Sequence, residues 1–310
     1  MLRDGLQSLD RYVPTDDKLR IVDALVRAGF TSIEVTAFVR PDVVPNLADA
    51  DELMRRIERA PGVEYRGLVA NRQGALRAVD ADVDTLVALI TATESYARKN
   101  QNRGVEELLE ITAEVLEVGQ EADKPVEIGI AMAFFDPYEG DTPPERIEHI
   151  VDRLLDAGAQ DLYLATSTGV ETPHQVRELV LRLRRRRPHL DIGLHLHNTN
   201  GMALATTLLA LEAGVTRFEG SLCGIGGGIA LPAGTPPAGN LATEDLVHFL
   251  SELGVETGLD TARVVACANE VAGILGITPR SYAAAGGTKA DLMRLGQLAP
   301  GGPKHARAQG

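Results

Sequence analysis

Short apolar runs rich in β-branched residues alternate along this chain with longer stretches in which apolar residues recur every three or four positions. Side chains repeat about every 2 residues along a strand and about every 3.6 along a helix, so the short runs predict strands and the longer stretches predict amphipathic helices. The predicted strands are Thr31–Phe38, Glu64–Val69, Thr85–Ala92, Val126–Ala133, Asp161–Thr166, Asp191–His197 and Arg217–Cys223.

The helical stretches show the expected spacing and boundary signals. Ile21, Leu25 and Val26 share one face of the first of them, and Thr172 followed by Pro173 is typical of a helix start. The predicted helices are Lys18–Gly29, Ala48–Glu58, Val105–Glu121, Glu145–Ala157, Pro173–Arg187, Met202–Ala213, Glu244–Leu253 and Thr261–Leu275.

Strict alternation of strands and helices predicts a parallel sheet. A TIM barrel, written (β/α)8, closes with about eight strands, one more than the pattern shows. Arg3-Asp4-Gly5 stand where the top of the first strand is expected, so we expect an α/β TIM barrel whose first strand is truncated. An open doubly wound sheet is the alternative, but no GxGxxG motif follows a first strand.

The chain is expected to hold one barrel domain, residues 1–276, with extra helices at its C-terminal end. Residues 277–310 are expected to form a C-terminal extension. Its tail from Ala299 is rich in glycine and proline, which predicts disorder.

Composition narrows the possible functions. Hydrophobic residues make up 44% of the chain and aromatic residues only 4%, so the core must consist mainly of Leu, Val, Ile and Ala. A net charge of −13 argues against a nucleic-acid partner, which requires a basic face. No apolar run reaches the ~18 residues of a membrane span, and no signal peptide is recognised at the start. These features predict a cytoplasmic protein that acts on a small molecule.

His195 and His197 are the strongest local signal for a metal site. They lie two positions apart near the end of a predicted strand, so both side chains point to the same face. At the C-terminal mouth of a barrel, two such imidazoles can share a metal ion. Asp4 and Glu34 also fall near strand ends and bring oxygen ligands or bases to the same mouth. The alternative is that the histidines are ordinary core or loop residues.

Several spaced motifs occur in order along the chain: Arg3-Asp4-Gly5-Leu6-Gln7, Ile33-Glu34-Val35-Thr36 with Phe38, Val44-Pro45, Lys99-Asn100, Pro137-Tyr138-Glu139-Gly140, His195-Leu196-His197-Asn198-Thr199 with Gly201, and Gly239-Asn240-Leu241-Ala242-Thr243-Glu244-Asp245-Leu246. Together they resemble the 3-hydroxy-3-methylglutaryl-CoA lyase family. That family belongs to the wider class of metal-dependent TIM-barrel lyases and condensing enzymes, which includes domains of the pyruvate carboxyltransferase type. The resemblance runs from Leu2 to about Gly276.

The resemblance implies a metal site and an acid–base group. The ligands of the metal would be Asp4, His195, His197 and Asn240. This set suits Mg²⁺ or Mn²⁺ better than Zn²⁺ because it contains no thiolate. Glu34 would be an acid that orients the site, and either Glu34 or His195 would accept the substrate's hydroxyl proton.

Arg3 would stabilise the enolate that forms when the carbon–carbon bond breaks, since guanidinium is always charged and donates in a planar fork. The alternative for Arg3 is a salt bridge that holds the barrel mouth together, and Glu34 is its natural partner. On that interpretation the pair would be structural.

Two positions depart from the family. Its glycine-rich loop carries a cysteine required for lyase activity, and here Gly228 occupies that position. Cys223 lies five residues earlier and is interpreted as a buried structural cysteine. The family also has an acidic residue after the sixth barrel strand, where this chain has Thr166. The loop from Gly228 to Asn240 holds several prolines and is either a reshaped lid or a plain surface loop.

Binding of the substrate and its coenzyme A is assigned to a further group of residues. Arg98, Lys99 and Asn100 form a local basic cluster on the mouth side, which in an acidic protein is a candidate clamp for CoA phosphates. The alternative is a solvated loop. The predicted substrate- and CoA-binding residues are Gln7, Arg98, Lys99, Asn100, Thr166 and Gly228.

The leading hypothesis is a divalent-metal-dependent lyase that cleaves a 3-hydroxy-acyl-CoA to acetyl-CoA and a keto acid by retro-Claisen or retro-aldol chemistry. One alternative is a Claisen-type condensing enzyme that joins an acyl-CoA to a 2-oxo acid. Another is a non-catalytic relative that binds metal. The sequence leaves the oligomeric state open, and barrels of this kind often form homodimers.

Overall fold

A computed structural model describes residues 1–227, 231–235 and 239–298. Gly228 and the tail from Ala299 lie outside these residues. The helices are α1 (Asp4–Gln7), α2 (Thr15–Ala28), α3 (Ala50–Arg56), α4 (Arg72–Asp80), α5 (Glu94–Asn100), α6 (Val105–Glu121), α7 (Pro144–Asp156), α8 (Pro173–Arg186), α9 (Ala203–Glu212), α10 (Thr243–Glu252), α11 (Thr261–Leu275), α12 (Tyr282–Gly286) and α13 (Lys289–Leu298).

The strands are β1 (Ser32–Phe38), β2 (Glu64–Val69), β3 (Thr85–Thr91), β4 (Val126–Ala131), β5 (Phe135–Asp136), β6 (Gly140–Asp141), β7 (Asp161–Thr166), β8 (Asp191–Leu196) and β9 (Arg217–Glu219). Seven of them form one parallel sheet in the order β1-β2-β3-β4-β7-β8-β9, while β5 and β6 form a small antiparallel hairpin. Each strand of this sheet pairs in parallel with the next one, and helices connect successive strands along the chain. The expected TIM-barrel-like α/β architecture is therefore confirmed.

All seven predicted strands are present, but β9 is shorter than predicted. It ends at Glu219, and Leu222–Gly224 form a 3₁₀ turn in which Cys223 adopts a left-handed φ of 64°. The reason is a close backbone approach: a Cβ at Gly220 would lie 2.5 Å from the carbonyl oxygen of Leu241. The apolar run after Glu219 is therefore a buried turn.

The N-terminal segment differs from the expectation. Residues 4–7 form the single helical turn α1, so Arg3-Asp4-Gly5 are not the top of a strand. Leu2 and Leu6 are fully buried in the hydrophobic core. Within the described residues no strand joins β9 to β1. The N-terminal segment contacts both sides of that gap: Arg3 pairs with Glu34 on β1, and Met1 contacts Ser221, which follows β9.

The core between sheet and helices is aliphatic, as expected, with few buried aromatic rings. Helix α4 was not predicted because its buried face is built from small residues, Gly74, Ala75 and Ala78, which give little hydrophobic contrast. No helix in the described part of the chain is long and apolar enough to cross a membrane.

The residues after Gly276 pack back onto the barrel. The carboxylate of Asp245, in the first turn of α10, accepts hydrogen bonds from Ser281 Oγ at 2.7 Å and from the backbone N–H groups of Tyr282 and Ala283 at 3.0 and 2.7 Å. The division into a barrel domain and an extension at residue 276 stays a prediction.

Candidate metal centre at the barrel mouth

Strand β8 brings the two predicted imidazoles together at its C-terminal end. Their Nε2 atoms lie 3.2 Å apart. Helix α1 places Asp4 opposite them, with Oδ2 at 4.0 Å from His195 Nε2 and 3.9 Å from His197 Nε2. One ligand atom from each residue lies within 4.8 Å of the others. Three possible metal-ligand atoms, one each from Asp4, His195 and His197, therefore face a common point.

Asn240 completes this group from the segment before α10. Its Nδ2 donates to Asp4 Oδ2 and to the carbonyl oxygen of Ile225, the latter at 2.9 Å. Its Oδ1 is buried and accepts no hydrogen bond from any described residue. A buried acceptor without a partner is costly, so this oxygen fits a cation. The donor set of one carboxylate, one amide oxygen and two imidazoles accommodates a divalent ion.

Gly226 keeps the space beside these ligands open. A Cβ at this position would collide with Asn240 Nδ2 and lie 2.5 Å from Asp4 Oδ2, and its φ of 120° is a conformation that side chains rarely adopt. The neighbouring Gly227 donates its backbone N–H to Asp4 Oδ2 at 3.2 Å. The backbone of Gly226 and Gly227 therefore packs directly against the carboxylate of Asp4, a candidate ligand.

The ionisation states of the group follow from burial and mutual contacts. Burial alone would raise the pKa of Asp4, but Arg3 and the two histidines hold it well below its usual range. Burial together with His195 lowers the pKa of His197 to about 4. Burial opposes charging of His195 as well, yet its hydrogen bond to Glu219 and the charge of Asp4 raise its pKa. A neutral His197, whose Nε2 faces His195 Nε2 and Asp4 Oδ2, is suited to metal ligation.

Arg3 lies between the metal group and β1. Its Nε is 2.9 Å from Glu34 Oε1 and its Nη1 donates to Asp4 Oδ1 at 3.0 Å. Burial would lower the pKa of Arg3, but these two carboxylates more than offset it and raise the pKa. Glu34 stands at an irregularity in the pairing of β1 with β2, a feature that re-aims side chains near active sites. Both alternatives for Arg3, salt bridge and catalytic group, are compatible with this geometry.

The family model described as HMGL-like matches residues 1–271. The chain belongs to this family. Its relatives include the mitochondrial hydroxymethylglutaryl-CoA lyase of Mus musculus, 35% identical over 263 residues that cover 85% of this chain and 80% of the relative. The hydroxymethylglutaryl-CoA lyase YngG of Bacillus subtilis (strain 168) is 34% identical, with 86% and 88% covered. The expected resemblance is thus confirmed.

Solved structures agree with the family assignment. An HMG-CoA lyase from Acinetobacter baumannii, in complex with coenzyme A and 3-methylmalate, superposes with a TM-score of 0.88 at 32% identity and 94% coverage of both chains. The carboxyl transferase domain of Rhizobium etli pyruvate carboxylase shares the fold alone, with a TM-score of 0.68 at 21% identity. The HMGL-like chain is therefore a barrel enzyme of the lyase type.

Two further predicted residues of this HMGL-like protein support the metal group. Gln7 Nε2 donates to Asp4 Oδ1 at 2.7 Å. Thr166, at the end of β7, accepts the backbone N–H of His197 at its Oγ1 at 2.9 Å. Each contact holds a candidate ligand in place, which is a different role from the substrate binding predicted for these residues. Substrate binding by Gln7 and Thr166 stays a prediction.

The predicted CoA clamp lies at the periphery. Arg98 and Lys99 are exposed on α5, and Asn100 is half-buried at its end. Arg98 lies 3.3 Å from Glu94, and Lys99 Nζ lies 4.7 Å from the centre of the Tyr138 ring. Helix α5 follows the C-terminal end of β3, which places the cluster on the mouth side of the barrel. Gly228, also predicted here, lies outside the described residues.

Cys223 is a buried structural residue, as predicted. Its Sγ donates to the carbonyl oxygen of Ala268 at 3.3 Å, and burial raises the pKa of the thiol to about 12. Its backbone N–H donates to both carboxylate oxygens of Glu244, at 3.1 and 3.2 Å. Glu244 thereby fixes the turn that leads into the glycine-rich loop.

Glu219 is a site residue that the sequence analysis missed. It stands opposite His195 in the pairing of β8 with β9, and its Oε2 lies 3.1 Å from His195 Nδ1. The sequence signal that could have identified Glu219 is its position as an acidic residue within a predicted strand. The pattern alone did not identify which neighbouring side chain it would meet.

Proposed function

We propose that this protein is a divalent-metal-dependent carbon–carbon lyase that cleaves a 3-hydroxy-acyl-CoA of the hydroxymethylglutaryl-CoA type to acetyl-CoA and a keto acid. The observation that carries the proposal is the convergence of Asp4, His195 and His197, whose ligand atoms lie within 4.8 Å of one another, with Arg3 in contact with Asp4 and Glu34 beside them. The names of the relatives point to the same reaction. The ion proposed is Mg²⁺ or Mn²⁺, held by Asp4, His195, His197 and Asn240.

The reaction requires an acceptor for the hydroxyl proton and a partner for the developing enolate. When the carbon–carbon bond breaks, the hydroxyl carbon becomes a ketone and the bonding electrons pass to the thioester, which becomes an enolate. A bound divalent ion would supply Lewis-acid chemistry at the hydroxyl and carboxylate oxygens. The guanidinium of Arg3 donates to the enolate oxygen, and its ion pairs with Glu34 and Asp4 keep it charged and oriented.

Glu34 is the acid–base group of this proposal. His195 was the other candidate, but its Nε2 faces Asp4 and His197, where the metal is proposed to lie, and its Nδ1 is occupied by Glu219. Glu34 is buried on the other side of Arg3. It therefore receives the hydroxyl proton, and water returns a proton to the released enolate.

The two family departures leave the metal group and Arg3 in place. The family's loop cysteine is replaced by Gly228, and its strand-end acid by Thr166. Thr166 supports the backbone of His197 through a neutral hydroxyl, so the metal group keeps its support without a carboxylate at this position. The proposal therefore includes activity without either residue.

The test is incubation of the full chain with Mn²⁺ or Mg²⁺ and hydroxymethylglutaryl-CoA, with acetyl-CoA and acetoacetate followed by mass spectrometry. Metal-dependent formation of both products in a 1:1 ratio supports the proposal. Absence of products with metal bound rules out this substrate. Supplying acetyl-CoA with a 2-oxo acid then tests the condensing alternative, and absence of metal affinity would favour a non-catalytic relative.

Three finer assignments accompany the proposal. Arg98, Lys99 and Asn100 bind the phosphates of coenzyme A, because a local positive cluster attracts them in an acidic protein. Location in the cytoplasm and assembly as a homodimer stay predictions.

A further inference from the structure

Ion pairs fill part of the barrel interior directly below the metal group. Glu219 on β9 uses both carboxylate oxygens: Oε2 lies 3.1 Å from His195 Nδ1, and Oε1 accepts from Arg66 Nη2 at 2.6 Å. The side chains of Glu219 and His195 are 18% and 13% exposed. Glu219 thus contacts the Nδ1 side of the His195 ring, and Arg66 holds Glu219 in place.

Arg66 is fixed in turn. Its Nη1 donates to Glu127 on β4, whose other carboxylate oxygen accepts from Arg217 Nη1 at 3.2 Å. The Arg217 guanidinium lies 4.8 Å from the centre of the Tyr163 ring. Gly193 makes room for that ring, since a Cβ there would collide with it. Arg66 is therefore paired with a carboxylate on each side, the buried Glu127 and the half-buried Glu219.

This arrangement has a consequence for the imidazole of His195. Arg66 carries a permanent positive charge and lies 2.6 Å from Glu219, so it holds Glu219 as a carboxylate, which only accepts hydrogen bonds. The Nδ1 atom that faces Glu219 must then carry the hydrogen. The Nε2 atom is left with a free lone pair, and it faces Asp4 and His197 Nε2. Hydrogen bonding at one ring nitrogen commonly determines which nitrogen binds a metal.

We propose that Glu219 is a positioning residue for the metal site: braced by Arg66, it holds His195 in the Nδ1–H tautomer and so presents Nε2 to the ion. The inference rests on the metal site of the proposed function. It assigns a role to a side chain that touches neither the substrate nor the ion.

The Glu219→Gln substitution separates this role from simple ion-pair packing. An amide has one accepting and one donating group, and Arg66 can only pair with the oxygen. The NH₂ group is then turned towards Nδ1, which favours the Nε2–H tautomer and blocks the ligand atom. We expect Mn²⁺ affinity, measured by electron paramagnetic resonance of the free ion, to fall about 10- to 100-fold. We also expect the metal-free variant to show Nε2–H in a ¹H–¹⁵N spectrum.

Glu127→Gln is the matched control. It removes a carboxylate from the same network on the other side of Arg66 and leaves the contact between Glu219 and His195 in place. We expect Mn²⁺ affinity within about threefold of wild type and an unchanged tautomer. Equal loss of affinity in both variants would mean a packing role only and would overturn the inference.

The wild-type protein supplies a test that does not depend on the folding of any variant. Without metal and at a pH where the ring is neutral, His195 should be observed as Nδ1–H, and an Nε2–H signal would overturn the inference. So would wild-type protein without measurable Mn²⁺ affinity. A protein that binds Mn²⁺, shows the expected tautomer and leaves hydroxymethylglutaryl-CoA intact would contradict the proposed reaction alone.

Discussion

Asn240 directs its amide nitrogen to Asp4 Oδ2 and leaves its oxygen, Oδ1, buried and without a partner among the described residues. Asp4 comes from the first helical turn and Asn240 from the segment before α10, 236 residues later. Their contact closes the donor group around the Nε2 atoms of His195 and His197. An amide with one satisfied and one unsatisfied end fits the role of metal ligand that is proposed for Asn240.

Metal binding should therefore stabilise the fold, since the ligands are assembled only in the folded chain. At an Mn²⁺ concentration about 100-fold above the dissociation constant, we expect the free energy of unfolding to rise by about 2.7 kcal/mol. Asp4→Asn should abolish this gain, whereas Asp23→Asn, on the exposed face of α2, should retain it. Urea denaturation with and without chelator measures the effect, and an equal gain in the Asp4 variant would contradict the proposed ligand set.

Arg3→Lys keeps a positive charge but loses the fork that reaches Glu34 and Asp4 together. We expect kcat for the lyase reaction to fall about 10²- to 10³-fold, the range for loss of one oxyanion-type donor, with KM changed much less. Steady-state kinetics measures the split, and Arg185→Lys, in the exposed basic end of α8, is the control. Unchanged kcat would assign Arg3 to a structural salt bridge.

Thr166→Val removes the acceptor for the buried backbone N–H of His197. Leaving that group unpaired should cost about 1–3 kcal/mol of unfolding free energy and weaken Mn²⁺ binding, because His197 loses its anchor. Thr166→Ser keeps the hydroxyl and should behave as wild type in both calorimetric titration and denaturation. If valine and serine variants match each other, the hydroxyl does not anchor the ligand.

Glu244 should make stability depend on pH. Burial raises its folded-state pKa to about 7 from an ordinary value of 4.5. Between these values the folded protein holds a proton that the unfolded chain has released, so this group's contribution to stability falls as the pH rises from 4.5 to 7 and does not recover above it. Glu244→Gln mimics the protonated form. Its free energy of unfolding relative to wild type should therefore rise by about 2–3 kcal/mol as the pH increases across this range.

Denaturation series from pH 4.5 to 8 measure that difference. Glu212→Gln is the control, because Glu212 is exposed at the end of α9. Parallel stability curves for wild type and the Glu244 variant would show that the buried carboxyl is ionised throughout.

Strands buried on both faces read as continuous apolar runs, which is why β7 was predicted with the bounds that the structure shows. Helices α6 and α11 were equally predictable, since each is long enough for a helical repeat to appear. Helix α5, with few buried side chains, gave no such repeat and was missed. Local periodicity thus determined the fold class and the approximate positions of the predicted elements.

The candidate site likewise has features that the sequence predicts and contacts that it does not. The spacing of His195 and His197 determined that they share a face, because alternation along one strand is a local property. The same analysis could not join Glu219 to His195, or Arg66 to Glu127 across 61 residues of chain. Those contacts depend on the register between neighbouring strands and on closure of the sheet around a common interior. Only the tertiary structure sets both, because pairing partners are chosen by the packing of the whole barrel and not by any one strand.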